Sequence, residues 1–505
     1  MNKIFFRGIV GSYAVCMLLC TFLLVLQGCG TTLSRTEERI LDSQKDRDRV
    51  TVCTRFFSDL DLQVDRAGVG DAQQARIEGF PYLRVNRFLA SYRNELRRNR
   101  GEFESWVDRL LELDYQARVI ELTNLPQSYE SREELAGMVR RCSALLRTKD
   151  MVDEARREYL MARATVAADY QIFKRVLGLY PITAQFVLMG VDRLHTEINQ
   201  IFANPLNEMP VHGRRVSYVP KATVRGLSKP EIVRILREGS NNPLGIPLIK
   251  RRDRDRLFAT FAPVWEIDVV SDSDRIGSLY WGDDPYPQLD TSLPRVYRHI
   301  SHTRWGEHVY VQLNYQIWFP ARPKAGAFDI LGGHLDGITW RVTLDESGEP
   351  LVFDAMHNCG CYHMYFPSSR LHYKGKTIVF EEPLLVPARA PRLGQGQRMV
   401  LRIAHTTHYL EHLSSRSPPV EGVVYRLEDY RNLRSLPLPN GGHRSLFGPD
   451  GIVAGTQRAE RWVLWPMGIP EPGAMRQWGH HATAFVGWRH FDDPDLLERY
   501  FDLVQ

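Results

Sequence analysis

The residues best suited to chemistry lie in one short segment, His357-Asn-Cys359-Gly-Cys361-Tyr-His363. Thiols and imidazoles alternate with other residues, and alternate side chains of an extended chain share one face. Four of them on a straight strand would span about 20 Å, so Gly360 would have to fold the chain for several to converge on one ion. Thiolate with imidazole suits zinc, iron or copper. The segment predicts His357, Cys359, Cys361 and His363 as ligands of a transition metal (Zn, Fe or Cu), or a thiol-dependent site. A local disulfide or buried thiols are the structural alternatives.

A second candidate is Gly332-Gly333-His334-Leu-Asp336. Its His-x-Asp pair resembles half of the facial triad of non-haem iron enzymes, and His405, at the end of a predicted strand, supplies a third group. We therefore predict His334 as a further metal ligand, with Asp336 (as an orienting group or base) and His405 as catalytic residues. The alternative is a His–Asp hydrogen bond that fixes a loop.

Two weaker patterns involve histidine. In His405-Thr-Thr-His408-Tyr-Leu-Glu-His412 a helical turn would place three imidazoles on one face, although the His-Glu-x-x-His motif of metalloproteases is missing. Trp478-Gly-His-His481 combines aromatic and imidazole groups, as sugar-binding faces do and as ordinary β-domains also do. The sequence shows no Gly-x-Ser-x-Gly elbow and no phosphate-binding glycine loop, so serine hydrolases and nucleotide-dependent enzymes lack support.

The elements that must position these residues change along the chain. Residues 29–205 have helical spacing, and Ser131 with Glu134 predicts a capping box. Residues 206–256 are rich in proline and predict a connector. Residues 257–505 alternate with period two, as in 309–317 and 338–344, with a turn at 345–348 and further strands at 399–403, Trp462–Leu464 and Ala484–Val486. We predict an α+β multidomain protein, with a helical region followed by a β-rich domain, a sandwich or jelly-roll-like barrel, that carries the site.

The first 28 residues predict export. Lys3 and Arg7 precede an uncharged apolar run, Ile9 to Leu26, and then Leu26-Gln-Gly-Cys29. This resembles the lipobox of bacterial lipoproteins, which implies a signal peptide over 1–28 and a lipid on Cys29. The alternative is an uncleaved helical anchor, because the run is just long enough to span a bilayer. Gly30 after the cysteine favours the outer membrane, by resemblance to enterobacterial sorting.

Charge and cysteine use fit an exported protein. The chain has 505 residues and a net charge of +5, and loss of Lys3 and Arg7 with the signal leaves +3, which argues against nucleic acid as a partner. Free thiols are a liability in an oxidising compartment. Cys53 and Cys142 could bridge two helices, although spacing does not fix the pairing.

Several stretches, among them 313–322, 332–340, the Cys-Gly-Cys segment and 475–480, resemble uncharacterised proteobacterial lipoproteins, a family that implies a location but no activity. The sequence thus predicts a lipid-anchored envelope protein facing the periplasm, with a metal- or thiol-dependent enzyme site in the His/Cys cluster. The alternative is a non-enzymatic envelope protein that binds glycan, lipid or another protein.

Overall fold

The computed structural model describes residues 46–96, 99–126, 131–221, 225–375, 381–419 and 421–504. They form two compact units, one ending at Ala67 and one beginning at Gly68. The first contains helix α1 (Asp46–Ala67). The signal and Cys29 lie outside the described residues, so the expected export and lipidation stay predictions.

The helices of the second unit precede most of its strands. They are α2 (Arg87–Ala90), α3 (Arg100–Asn124), α4 (Arg132–Asp150), α5 (Glu154–Arg163), α6 (Ile172–Leu177), α7 (Tyr180–Ala203), α8 (Lys229–Gly239), α9 (Arg251–Phe261), α10 (Arg461–Leu464) and α11 (Leu496–Tyr500). The predicted capping box is confirmed at α4, where the Ser131 hydroxyl accepts from the backbone N–H of Glu134 and the Glu134 carboxylate accepts from that of Ser131.

The strands are β1 (Ala75–Ile77), β2 (Phe80–Val85), β3 (Arg214–Pro220), β4 (Val264–Val269), β5 (Ser278–Tyr280), β6 (Gln288–Asp290), β7 (Arg295–Trp305), β8 (His308–Arg322), β9 (Gly333–Leu344), β10 (Pro350–His357), β11 (Met364–Pro367), β12 (Leu371–Tyr373), β13 (Arg398–Ile403), β14 (Leu410–Arg416), β15 (Val423–Asp429), β16 (Leu436–Pro437), β17 (His443–Arg444) and β18 (Phe501–Leu503). Ten of them form one curled mixed sheet, in the order β11-β10-β9-β8-β7-β15-β3-β4-β13-β14. The protein is therefore α+β, whereas the sandwich or jelly-roll arrangement is not confirmed.

The antiparallel meander β7–β8–β9–β10 carries the candidate site. Tyr315 pairs with Trp340 across β8 and β9, and Trp340 pairs with Ala355 across β9 and β10. These pairs face the largest core of the unit, in which Trp265, Tyr315 and Trp340 are all completely buried. Burial of such side chains contributes about 1.5–3 kcal/mol each, so the sheet is a firm support for the loops at its ends.

Several element predictions are confirmed and others are wrong. Strands β8, β9, β10 and β13 lie where the alternation placed them, and β9 and β10 pair as the predicted hairpin. The predicted connector, residues 206–256, contains β3, α8 and the start of α9. Residues 462–464 are helical rather than extended.

Ala484 and Val486 do not form the predicted strand, because side chains bind that backbone instead. The Tyr170 hydroxyl donates to the carbonyl of Ala484 (2.9 Å), and the N–H of Phe485 donates to the carboxylate of Glu382 (2.8 Å). No helix among the described residues has the length and apolar character needed to cross a bilayer.

Candidate functional site

The two thiols of the Cys-Gly-Cys segment lie together in a tight turn after β10. The N–H of Gly360 donates to the carbonyl of His357 (2.7 Å), and the N–H of His357 donates to that of Cys361 (2.9 Å). Gly360 has a φ of +97°, and a Cβ there would lie 2.4 Å from the carbonyl oxygen of Ala482. Only glycine fits this turn, and it is the turn that brings Cys359 and Cys361 together.

Asn358 fixes this turn to the sheet through three hydrogen bonds. Its amide donates to the carbonyl of Ile317 (3.1 Å), and its oxygen accepts from the hydroxyl of Thr339 (2.8 Å). Its own backbone N–H donates to the carbonyl of Gly337 (2.9 Å). The side chain is completely buried, so the dithiol is held by strands β8 and β9 rather than by a free loop.

Cys359 and Cys361 are both free thiols in contact with each other. The N–H of Cys361 lies 3.4 Å from Sγ of Cys359. The hydrogen bond between the side chains, burial and the nearby charge of Glu460 raise the pKa of the Cys361 thiol well above its ordinary value. Cys359 is buried and Cys361 is half-buried, so Cys361 is the more exposed residue of the pair.

The dithiol lies on the wall of a cavity with about 780 Å³ of empty space, part of it open to solvent. Glu460, His195 and Tyr362 also line this dithiol cavity. Burial raises the pKa of Glu460 to about 7, although the positive charges of Arg322 and Arg458 act to lower it. A buried carboxyl that titrates near neutrality is suited to take up and return a proton.

A row of buried ionisable groups runs behind the cavity. Nδ1 of His408 lies 2.8 Å from Oδ2 of Asp336, and its Nε2 lies 3.6 Å from Oδ1 of Asp274. Oδ1 of Asp336 is 3.6 Å from Nδ1 of His357, whose Nε2 has no hydrogen-bond partner in the described structure. Burial alone would lower the pKa of His408, but the two carboxylates raise it. Conversely, burial alone would raise the pKa of Asp336, but His357 and His408 lower it well below its ordinary value.

Tyr362 and Tyr409 connect this row to the dithiol. The Tyr409 hydroxyl donates to that of Tyr362, and both rings lie edge-on to His357, with centroids 5.6 Å and 5.0 Å away. Arg322 lies over the ring of Tyr409 at 5.3 Å. A polar network therefore continues from the sheet to the residue next to Cys361.

Backbone strain is concentrated at this place. Six described non-glycine residues have a positive φ, and four of them, Leu335, Tyr362, Thr406 and His408, adjoin Asp336, Cys361 or the row of charges. Each costs about 1–3 kcal/mol, and such strain collects at functional sites because the surrounding structure has to hold it.

The other predicted site residues lie apart from the thiols or are already fully bonded. Nε2 of His334 lies 2.7 Å from the carbonyl of Pro287, and Nδ1 of His405 lies 2.8 Å from the hydroxyl of Thr406. His363 lines the dithiol cavity, but its two nitrogens face Asp354 (2.8 Å) and Tyr365 (3.2 Å).

His405, His408 and His412 do not share a helical face. The chain turns at residues 405–409 and then enters β14, so the helical interpretation of this segment is wrong. Thr406 and His408, both with positive φ, make that turn.

No three His, Cys, Asp or Glu side chains within the described ranges are arranged to hold a metal ion. For His363 the physical reason is that both ring nitrogens are already hydrogen-bonded. The transition-metal site stays a prediction without geometric support from these residues.

Glu460, Tyr409 and Arg322 are the site residues that sequence reasoning missed, and His408 was assigned a different role. Glu460 lies in a charged stretch, Arg458-Ala-Glu460-Arg461, whose pattern indicates a solvated surface. Its burial depends on Gly473, where a Cβ would lie 1.9 Å from Oε1 of Glu460. No local signal in the sequence reports such a long-range contact.

Comparison of the chain with protein-family models, with curated proteins and with solved structures finds no match.

Proposed function

We propose that this chain is a thiol–disulfide oxidoreductase of the bacterial envelope, with Cys359 and Cys361 as the exchanging pair. One observation carries the proposal. Two free thiols in contact lie on the wall of a cavity, beside the carboxyl of Glu460 with a pKa of about 7. We assign Cys361 as the attacking cysteine because it is the more exposed residue of the pair.

The chemistry balances without a further cofactor. The Cys361 thiol gives its proton to the Glu460 carboxylate, and the thiolate attacks a substrate disulfide to form a mixed disulfide, releasing one substrate sulfur as a thiolate that takes the proton back from Glu460. The Cys359 sulfur then attacks Sγ of Cys361, forming the Cys359–Cys361 bond, and its proton passes to the second substrate sulfur, which leaves as a thiol. The dithiol loses two electrons and two protons, and the substrate disulfide gains them. The reverse sequence oxidises a substrate dithiol.

The state of the two thiols is consistent with this role. Cys359 and Cys361 are both free. In an oxidising compartment an exchanging pair has to exist in both the dithiol and the disulfide form. The envelope location proposed from the lipobox-like segment supplies such a compartment.

The test is a redox titration of the full-length protein in detergent, with acid trapping, alkylation and mass spectrometry of the 357–363 peptide. We expect Cys359 and Cys361 to open and close together as a two-electron couple. Cys359→Ser should accumulate a mixed disulfide on Cys361 with a disulfide substrate such as oxidised glutathione. His334→Ala, which is outside the dithiol cavity, is the matched control and should titrate as the wild type does. A pair that stays reduced in the native protein at every potential, with no mixed disulfide in Cys359→Ser, would overturn the proposal.

A second candidate function, glycan binding, is favoured by a separate cavity. It is lined by His299, Tyr430 and Trp478, and the His299 ring lies 4.2 Å from that of Trp478. Both nitrogens of His299 are buried without a hydrogen-bond partner in the described structure, so donors and acceptors are available to hydroxyl groups. Calorimetric titration of the full-length protein with soluble envelope glycan fragments tests it: heat that is lost in His299→Phe supports the role, and no heat rules it out.

A further inference from the structure

The wall of the dithiol cavity is largely apolar. Large apolar side chains from four separate stretches of the chain line it together with the two thiols: Val191, Leu194, Leu385, Leu464, Ile469 and Phe485. The empty space of about 780 Å³ is that of a pocket for a small molecule. A ligand that fills this cavity therefore places most of its surface against hydrocarbon, which favours an apolar ligand.

The one arginine on the wall is already paired. Nη2 of Arg489 lies 3.2 Å from Oε1 of Glu382, and Nη1 donates to the backbone carbonyl of Glu382 (3.0 Å). The other carboxylate oxygen of Glu382 accepts from the N–H of Phe485 (2.8 Å). Arg489 is also completely buried, so this pair presents no unmatched charge to a ligand.

The two imidazoles on the wall are uncharged at neutral pH. Burial lowers the pKa of His195 to about 4, and the positive charge of Arg489 acts in the same direction. Burial also lowers the pKa of His363 to about 4, although Asp354 acts to raise it. The remaining acid, Glu460, becomes negative above about pH 7. Among the described residues that line the cavity, no cation is thus left to pair with an anionic ligand.

The positive charges behind the wall are balanced or out of reach. The surroundings of Glu460 contain two cations and two carboxylates, Arg322, Arg458, Asp336 and Asp329. Arg476 is completely buried and donates to backbone carbonyls, among them that of Cys359 (3.2 Å). An anion that entered the cavity would therefore lose hydration without gaining an ion pair.

We infer that the dithiol acts on an uncharged, apolar disulfide of low molecular weight that binds in the dithiol cavity. The inference rests on the proposed thiol–disulfide exchange and names its substrate class. The substrate S–S bond breaks, both of its sulfurs leave as thiols, and the Cys359–Cys361 bond forms, so atoms and electrons balance as in that exchange. A charged disulfide still exchanges, but more slowly, because its charge has to be dehydrated.

The test compares two aromatic disulfides, dithiodipyridine, which is uncharged at neutral pH, and dithiobis(nitrobenzoate), which carries a carboxylate on each ring. Each releases a light-absorbing thiol, so stopped-flow absorbance gives a second-order rate constant for the reduced full-length protein in detergent. The signal of the double variant Cys359→Ser with Cys361→Ser, treated identically, is subtracted to remove the contribution of other thiols. The uncharged thiol β-mercaptoethanol in the same solution gives the ratio that is set by the probes and the detergent alone.

We expect the ratio of the two rate constants, uncharged over anionic, to be about tenfold higher for the protein than for β-mercaptoethanol, because the cavity does not offset the dehydration of a carboxylate. Leu464→Lys places a cation on the wall and should lower the protein's ratio about threefold. Leu293→Lys, at a 46% exposed residue outside the dithiol cavity, is the matched control and should leave the ratio unchanged.

A wild-type ratio equal to that of β-mercaptoethanol, or below it, would overturn the substrate class and leave the exchange itself intact. Release from neither probe would contradict the exchange as well, so the two failures are distinguishable. The wild-type ratio decides the matter even if Leu464→Lys does not fold.

Discussion

At the scale of single residues, Cys359, burial and Glu460 together set the reactivity of Cys361. The hydrogen bond to Cys359 and burial raise the pKa of Cys361 most, the negative charge of Glu460 raises it further, and this sulfur stays protonated at neutral pH. Glu460 itself ionises near pH 7, so its effect on the thiol is present above that pH. The carboxyl that would accept the proton of Cys361 therefore also limits how readily the thiolate forms.

We expect Glu460→Gln to speed the alkylation of Cys361 at pH 8 by about three- to tenfold, because removal of one nearby charge lowers a pKa by half a unit to a unit. The rate constant is measured by timed iodoacetamide labelling and mass spectrometry. The same variant should slow exchange with a disulfide substrate, since its proton acceptor is lost. Glu104→Gln, on the exposed side of α3, is the control, and equal alkylation rates in both variants would contradict the assignment.

Glu460 should also make the free energy of unfolding depend on pH. Its pKa rises from 4.5 to about 7 on folding, so the folded state retains a proton that the unfolded chain releases. The free energy of unfolding should therefore decrease as the pH rises from about 4.5 to 7, by up to about 3 kcal/mol. Urea titrations at several pH values should show a flatter dependence for Glu460→Gln.

Gly360 is the residue whose replacement tests the turn itself. We expect Gly360→Ala to destabilise the protein by about 1–3 kcal/mol, because the new Cβ would contact the carbonyl of Ala482 and the positive φ would be strained. Gly326→Ala, where a Cβ meets nothing within 4 Å, is the matched control in the same urea titration. Equal stabilities would show that the turn can open freely.

Residue types and spacing were enough to single out the Cys-Gly-Cys turn, and they correctly indicated that Gly360 must fold the chain. They did not predict Glu460, Tyr409 or Arg322. These residues reach the site from separate segments, and the burial that changes the pKa of Glu460 arises from contacts such as that with Gly473. Hydrophobic periodicity carries no information about such contacts.

At the scale of elements, four segments supply the buried row: the 3-10 helix Asp272–Asp274, β9 with Asp336, the last residue of β10, His357, and the turn before β14 with His408. The imidazole of His408 is sandwiched between two carboxylates and stacks on the ring of Phe319 at 3.8 Å. This contact joins the loop at residues 405–409 to the C-terminal end of β8. Separate elements therefore depend on one buried ionic network.

Breaking that network should be costly. We expect Asp336→Asn to lower the free energy of unfolding by about 3–5 kcal/mol near neutral pH, because His408 and His357 would lose their shared carboxylate. Since the pKa of Asp336 is lowered on folding, its contribution exists above the unfolded value of 3.8 and is lost as the pH falls further. The difference from wild type, measured by urea titration, should therefore shrink below about pH 4.

The control for this variant is Asp283→Asn, a change of the same kind at an exposed carboxylate. A loss of less than 1 kcal/mol in Asp336→Asn would mean that the network contributes little to stability.

Elements with long regular periods were predictable and short ones were not. The alternating stretches 309–317 and 338–344 lie within β8 and β9, although β8 continues to Arg322 and β9 begins already at Gly333. Residues 462–464 and 484–486 are only three residues each, too few to distinguish a strand from a helix or from an irregular segment. In the second case the outcome is set by partners far away in the chain, Tyr170 and Glu382.

At the scale of the whole molecule, function and location are linked through the proposed anchor. We expect radiolabelled palmitate to attach to the wild-type chain in bacterial cells and not to Cys29→Ser, because only a lipobox-type cysteine accepts the acyl group. Cys20→Ser, within the same apolar run, is the matched control and should be labelled normally. Labelling that persists in Cys29→Ser would remove the lipoprotein assignment.

Helix α7 is exposed to the outside on one face and lines the dithiol cavity on another. Its first half carries Ile182, Phe186 and Met189 outward, and farther along its inner side Val191, Leu194 and His195 form part of the wall around the thiols. A hydrogen-bonded helix moves as a rod, so pressure on the outer half changes the room left for a substrate on the inner side. A bulky substitution on the exposed face of α7 is therefore expected to alter disulfide turnover without touching either cysteine.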